Sequence, residues 1–124
     1  MVAPLLKEES MPPAVTVVRS PAAALREEIL ARRARVAIVG LGYVGLPLGA
    51  AFADARFKVI GFDVDVERVA TINAGHSHIG DVPSSQIARL IETGYLRATA
   101  DGDELADADV IVICVPTPLT AEGE

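Results

Sequence analysis

The stretch "RVAIVGLGYVGLPLG", Arg35 to Gly49, sets four glycines into an otherwise apolar run. Its opening, "RVAIVG", shows no polar alternation, the mark of a strand buried on both faces in a parallel sheet. Glycine weakens a strand or helix interior by roughly 0.5–1 kcal/mol relative to alanine, so such a cluster implies a close approach to the backbone. Gly40, Gly42 and Gly45 make G-x-G-x-x-G where the strand ends and a helix begins. The first glycine allows a tight turn, the second admits a pyrophosphate to the backbone, and the third lets the helix pack on the sheet. The helix N-terminus directs unpaired N–H groups and roughly half a positive charge at the phosphates. Pro47 falls in the first turn, where a missing N–H costs little. A second strand, "FKVIGFD", ends in Asp63, 23 positions after Gly40. A carboxylate there is placed to accept hydrogen bonds from the adenosine ribose hydroxyls, which completes a dinucleotide fingerprint.

Outward from this unit, "VERVATINAG" predicts a helix stopped by Gly75, and "PSSQIARLIETG" another, capped by Ser84 or Ser85 and stopped by Gly94. "YLRATA" reads as a short strand, "DGDELADA" as a brief helix, and "DVIVICVP", the most β-branched run, as a central strand. Strands near 35–40, 58–62, 96–99 and 109–115 should lie parallel in the order 3-2-1-4, because crossovers are right-handed and a switch point belongs beside the first strand. The fold class is therefore α/β, a Rossmann-type doubly wound parallel sheet truncated after its fourth strand. Residues 1–20 read as a loose leader that packs poorly. Residues 21–34 read as a leading helix with Ser20 as cap and Pro21 at its first position. Residues 35–124 read as an incomplete NAD-binding domain.

Composition narrows the partners. Residues 1–35 hold six Lys/Arg against four Asp/Glu, and residues 36–124 hold five against thirteen, within a formal charge of -6. So acidic a domain lacks the basic footprint of a nucleic-acid binder. The single cysteine, Cys114, excludes an internal disulfide and a CxxC metal site, and no metal cluster is visible. No apolar run approaches the roughly 20 residues of a membrane span. A cytoplasmic protein without membrane or nucleic-acid partners is expected. His76 and His78 read as solvated loop residues and Asp81 as a helix-capping one. Cys114 reads as a small buried apolar residue.

"VAIVGLGYVGLPLGAAFADARFKVIGFDVDVERVATINAG", with "ADVIVICVPTPLT" further on, resembles the N-terminal half of the UDP-glucose/GDP-mannose dehydrogenase family. These are NAD-dependent enzymes that oxidise C6 of a nucleotide sugar to a carboxylate. The resemblance implies NAD as cofactor, with Gly40, Gly42, Tyr43, Val44 and Gly45 lining the pyrophosphate. It further implies that Asp63 holds the ribose, that Arg68 lies near the adenosine, and that Val115, Pro116 and Thr117 wall the cofactor, Thr117 by direct contact. "INAGHSHIGDVPSSQI" is closer to the branch acting on UDP-N-acetylhexosamines, a UDP-N-acetylglucosamine-like substrate, although Gly80 departs from the acidic residue often found before the aspartate. Polysaccharide biosynthesis and a homo-oligomeric full-length enzyme are implied in the same way.

The family's chemistry also needs a cysteine nucleophile in a Gly-Gly-x-Cys context, a lysine and an asparagine, none of which this sequence contains in that setting. No catalytic residue is therefore expected here, and the chain reads as a fragment of a longer enzyme. Two function classes stay open: the cofactor-binding part of an oxidoreductase, or a non-catalytic dinucleotide-binding module. A methyltransferase shares the glycine-rich turn and the acidic strand end, but the third glycine and "VPTP" argue against it.

Overall fold

The computed structural model describes residues 20–116. The leader expected over residues 1–20, apart from Ser20, and the expected cofactor contact Thr117 lie outside the described residues.

Strands Arg35–Val39 (β1), Lys58–Phe62 (β2), Leu96–Thr99 (β3) and Val110–Ile113 (β4) form one parallel sheet in the order β3-β2-β1-β4. The register pairs Ile38 with both Gly61 and Val112. Helices Pro21–Leu30 (α1), Gly45–Asp54 (α2), Val66–Asn73 (α3) and Ser84–Glu92 (α4), with a 3-10 turn at Gly102–Asp107, complete the chain order. The crossovers β1 to β2 and β2 to β3 advance in one direction, and right-handedness then sets α2, α3 and α4 on one face. There Ile38, Val59 and Leu96 meet Leu46 and Ala50 of α2, Ile72 of α3, and Ile87 and Leu90 of α4, all buried. The connection to β4 runs the opposite way, past β1, and this reversal puts the switch point at the carboxyl ends of β1 and β4.

Local chemistry explains most boundaries. Ser20 caps α1, its hydroxyl accepting from the Ala23 N–H at 3.1 Å, but α1 stops at Leu30, short of residue 34, and Arg32 turns out at φ 62°. Asp65 caps α3 through the amides of Glu67 and Arg68. Gly75 and Gly94 end α3 and α4 with φ of 87° and 82°, the left-handed geometry that stops a helix.

Three expectations are corrected. The N-cap of α4 is Pro83, not Ser84 or Ser85, and it makes no side-chain cap bond. Ser84 is the first helical residue, and its hydroxyl instead accepts from the Ser77 N–H at 2.9 Å; Asp81 therefore caps nothing. The β-branched run gives a strand shorter than 109–115, and it takes the place beside β1 that the order 3-2-1-4 predicts. Its register with β1 leaves Ile111 and Ile113 on the face opposite the helices, 52% and 70% exposed.

Candidate cofactor site

The loop after β1 is shaped by its glycines. Gly40 sits at φ 98°, and a Cβ there would lie 2.9 Å from the Cys114 carbonyl oxygen. At Gly45, the first residue of α2, a Cβ would come within 1.6 Å of the Gly40 carbonyl oxygen. These two glycines let strand end and helix start stack backbone on backbone. Gly42 differs: a Cβ there would meet nothing within 4 Å. Its space opens into a cleft of about 1120 Å³ across the carboxyl ends of β1, β2 and β4.

The first helical hydrogen bonds run from the Leu46 N–H to the Gly42 carbonyl and from Leu48 to Val44. The amides of Gly42, Tyr43 and Val44 thus have no acceptor among the described residues. Tyr43 and Val44 are 86% and 65% exposed on the cleft rim.

Asp63 is buried at the tip of β2. Its Oδ2 accepts from the Leu41 N–H at 2.9 Å and from the Arg68 guanidinium at 3.3 Å, and its Oδ1 accepts from the Asp65 N–H at 2.9 Å. Burial alone would push the carboxyl up; the amides of Asp65 and Leu41 and the Arg68 charge outweigh it and hold the group below the ordinary aspartate range. A carboxylate offers about four lone-pair sites, so one remains on Oδ1 for a ligand hydroxyl.

The cleft brings together Gly40, Gly42, Tyr43 and Val44 from the first loop with Asp63 and Arg68 after β2. Val115 and Pro116 close it after β4. Gly45 lies behind this wall, acting through packing against Gly40. Cys114 lines the cleft half-buried and packs on the core. His76 is exposed, as expected of a solvated loop residue. His78 is exposed too, but its Nε2 lies 2.7 Å from the Leu41 carbonyl oxygen, and it borders the cleft. Leu41 and His78 are 37 positions apart, and no local pattern signals the contact. Donor amides, a glycine open to solvent and an anionic hydroxyl acceptor form a donor and acceptor set that fits a dinucleotide. Among the described residues no helix is long and apolar enough to cross a membrane.

Residues 34–124 match the UDP-glucose/GDP-mannose dehydrogenase family, NAD binding domain. The UDP-N-acetyl-D-mannosamine dehydrogenase of Yersinia pestis is 41% identical over 90 residues, 72% of this chain and 21% of that protein. The protein of the same name from Escherichia coli K12 is 40% identical over 92 residues, 73% of this chain and 21% of its own length. Among solved structures, a UDP-D-ManNAc dehydrogenase from Pyrococcus horikoshii superposes with a TM-score of 0.67 at 34% identity, over 72% of this chain and 22% of that one. A ternary complex of GDP-mannose dehydrogenase from Pseudomonas aeruginosa gives 0.67 at 35%, over 73% and 21%. The chain therefore spans about a fifth of the length of the curated relatives it matches.

Proposed function

The chain belongs to the UDP-glucose/GDP-mannose dehydrogenase family, whose NAD-binding domain it carries, and from that premise we propose that it is the cofactor-binding part of an NAD-dependent dehydrogenase oxidising C6 of a UDP-N-acetylhexosamine to the uronic acid. The single observation that carries the cofactor part is Asp63, buried beneath the glycine loop with an oxygen still able to accept a hydroxyl. The amides of Gly42, Tyr43 and Val44 would hold the pyrophosphate, Asp63 the adenosine ribose, and Val115 and Pro116 the wall beside β4. Arg68 lies near the adenosine end and Gly45 supports the loop from behind. NAD supplies the hydride acceptor; this chain's residues bind and orient it. For the sugar, the names of the most similar relatives favour the manno epimer over the gluco compound suggested by "INAGHSHIGDVP". A soluble cytoplasmic enzyme, homo-oligomeric at full length and serving polysaccharide biosynthesis, accords with that reading.

The test has two arms. Titration calorimetry on the chain should give NAD binding tighter than NADP; binding of neither overturns the cofactor assignment. The full-length enzyme given UDP-N-acetylmannosamine should form two NADH per sugar, since alcohol to acid is two hydride removals with one water consumed. Preference for UDP-glucose or GDP-mannose overturns the sugar assignment. The second reading, a dinucleotide-binding module without chemistry, is favoured by one observation: the cleft's single thiol, Cys114, is packed on the core.

A further inference from the structure

Leu41 is held at three points. Its N–H donates to Asp63 Oδ2 at 2.9 Å, its side chain is buried against Gly61, where a Cβ would come within 2.6 Å of it, and its carbonyl lies 2.7 Å from His78 Nε2. A carbonyl only accepts, so His78 must carry its proton on Nε2 and donate it to Leu41. The peptide unit joining Leu41 to Gly42 is planar and trans. Fixing the Leu41 carbonyl toward His78 therefore fixes the Gly42 N–H in the opposite sense, and that amide has no acceptor among the described residues.

His78 is itself rigidly carried, although the loop between α3 and α4 has no regular structure. On one side the Ser77 N–H donates to the Ser84 hydroxyl at 2.9 Å, and the Ser77 hydroxyl donates to the Ile79 carbonyl at 2.8 Å. On the other, Ile79 and Val82 are buried in the core, with the Val82 N–H on the Ile79 carbonyl at 3.0 Å. An exposed imidazole on an anchored loop is thus aimed at the one peptide whose orientation sets the open glycine.

We propose that His78 is a positioning residue for dinucleotide binding: its Nε2–H pins the Leu41 carbonyl and so presents the Gly42 amide to the pyrophosphate. This rests on the dinucleotide reading given above. Glutamine can place an N–H where Nε2 stands, whereas asparagine is one bond too short and alanine has no donor. Calorimetry of the chain with NAD, ADP and adenosine separates the possibilities. His78→Ala and His78→Asn should lose about fivefold in affinity for NAD and for ADP, the effect of one hydrogen bond. Adenosine binding should be unchanged, the thermal midpoint without ligand should fall by a few degrees at most, as for one lost hydrogen bond, and His78→Gln should restore the NAD and ADP affinities. An unchanged NAD affinity in His78→Ala, or an equal loss for adenosine, overturns the role of His78 while leaving the cofactor site standing. A wild-type chain that binds neither NAD nor ADP overturns the dinucleotide reading and this inference with it.

Discussion

Asp63 carries both a stability prediction and, on the proposed function, a binding prediction in a single side chain. Because its folded pKa is depressed, its contribution to stability is full above the ordinary aspartate range, near 3.9, and is lost as pH falls through the lower folded value. Asp63→Asn should remove that acid-limb dependence. It should also cost about 1–3 kcal/mol at neutral pH, since an amide donor would then face the Leu41 or Asp65 N–H; urea melts of both proteins from pH 3 to 7 measure this. In binding, the carboxylate would meet the 2′-phosphate of NADP at about 4 Å, a repulsion of roughly 1 kcal/mol in water and 4 at an effective dielectric near 20. That corresponds to between about fivefold and several hundredfold preference for NAD. Arg68, already 3.3 Å from the carboxylate, reduces the gap. Asp63→Asn should weaken NAD and relax the discrimination, whereas tighter NADP binding by the wild type would remove this role from Asp63. The glycines give a paired contrast. Gly42→Ala should leave the thermal midpoint within a degree or so yet weaken NAD at least tenfold, because the new methyl stands in the cleft. Gly45→Ala forces a methyl onto the Gly40 carbonyl and should destabilise by about 3 kcal/mol or more.

At the scale of elements, the outer strand β3 is protected by a helix end. Asn73, the last residue of α3, donates from Nδ2 to the Ala98 carbonyl at 2.8 Å and accepts from the Ala98 N–H at 2.9 Å. One side chain thereby satisfies both polar groups of an edge residue and prevents that stretch from recruiting another strand. Asn73→Ala should lower the denaturation free energy by about 1–2 kcal/mol, read as a shifted urea midpoint at constant slope. Asn73→Asp, which keeps the acceptor and loses the donor, should fall between; equal midpoints for all three proteins would show that water replaces the clamp without cost.

At the scale of the whole molecule the proposed role is to bind and orient NAD; Cys114 is the single cysteine of the chain and is packed against the core. The 124-residue chain should bind NAD and yet form no NADH with any UDP-N-acetylhexosamine; NADH formation by it would show that the chemistry has been misplaced.

The sequence by itself determined the order and type of the elements, the parallel sheet in the order β3-β2-β1-β4, and the glycine loop and Asp63 that meet at the cleft. These are local signals: unbroken apolar runs, turn glycines and a fixed spacing to the next strand end each act within a few residues. Tertiary structure alone decided three other matters. Ile111 and Ile113 of β4 stay exposed among the described residues, because β-branching measures burial potential and packing on each face decides whether it is used. Ser84 abandoned the cap for Ser77, since a hydroxyl follows the nearest unpaired amide once the loop is folded. His78 became a partner of Leu41 across 37 positions, a contact that exists only after the right-handed crossover has carried the loop between α3 and α4 back to the end of β1.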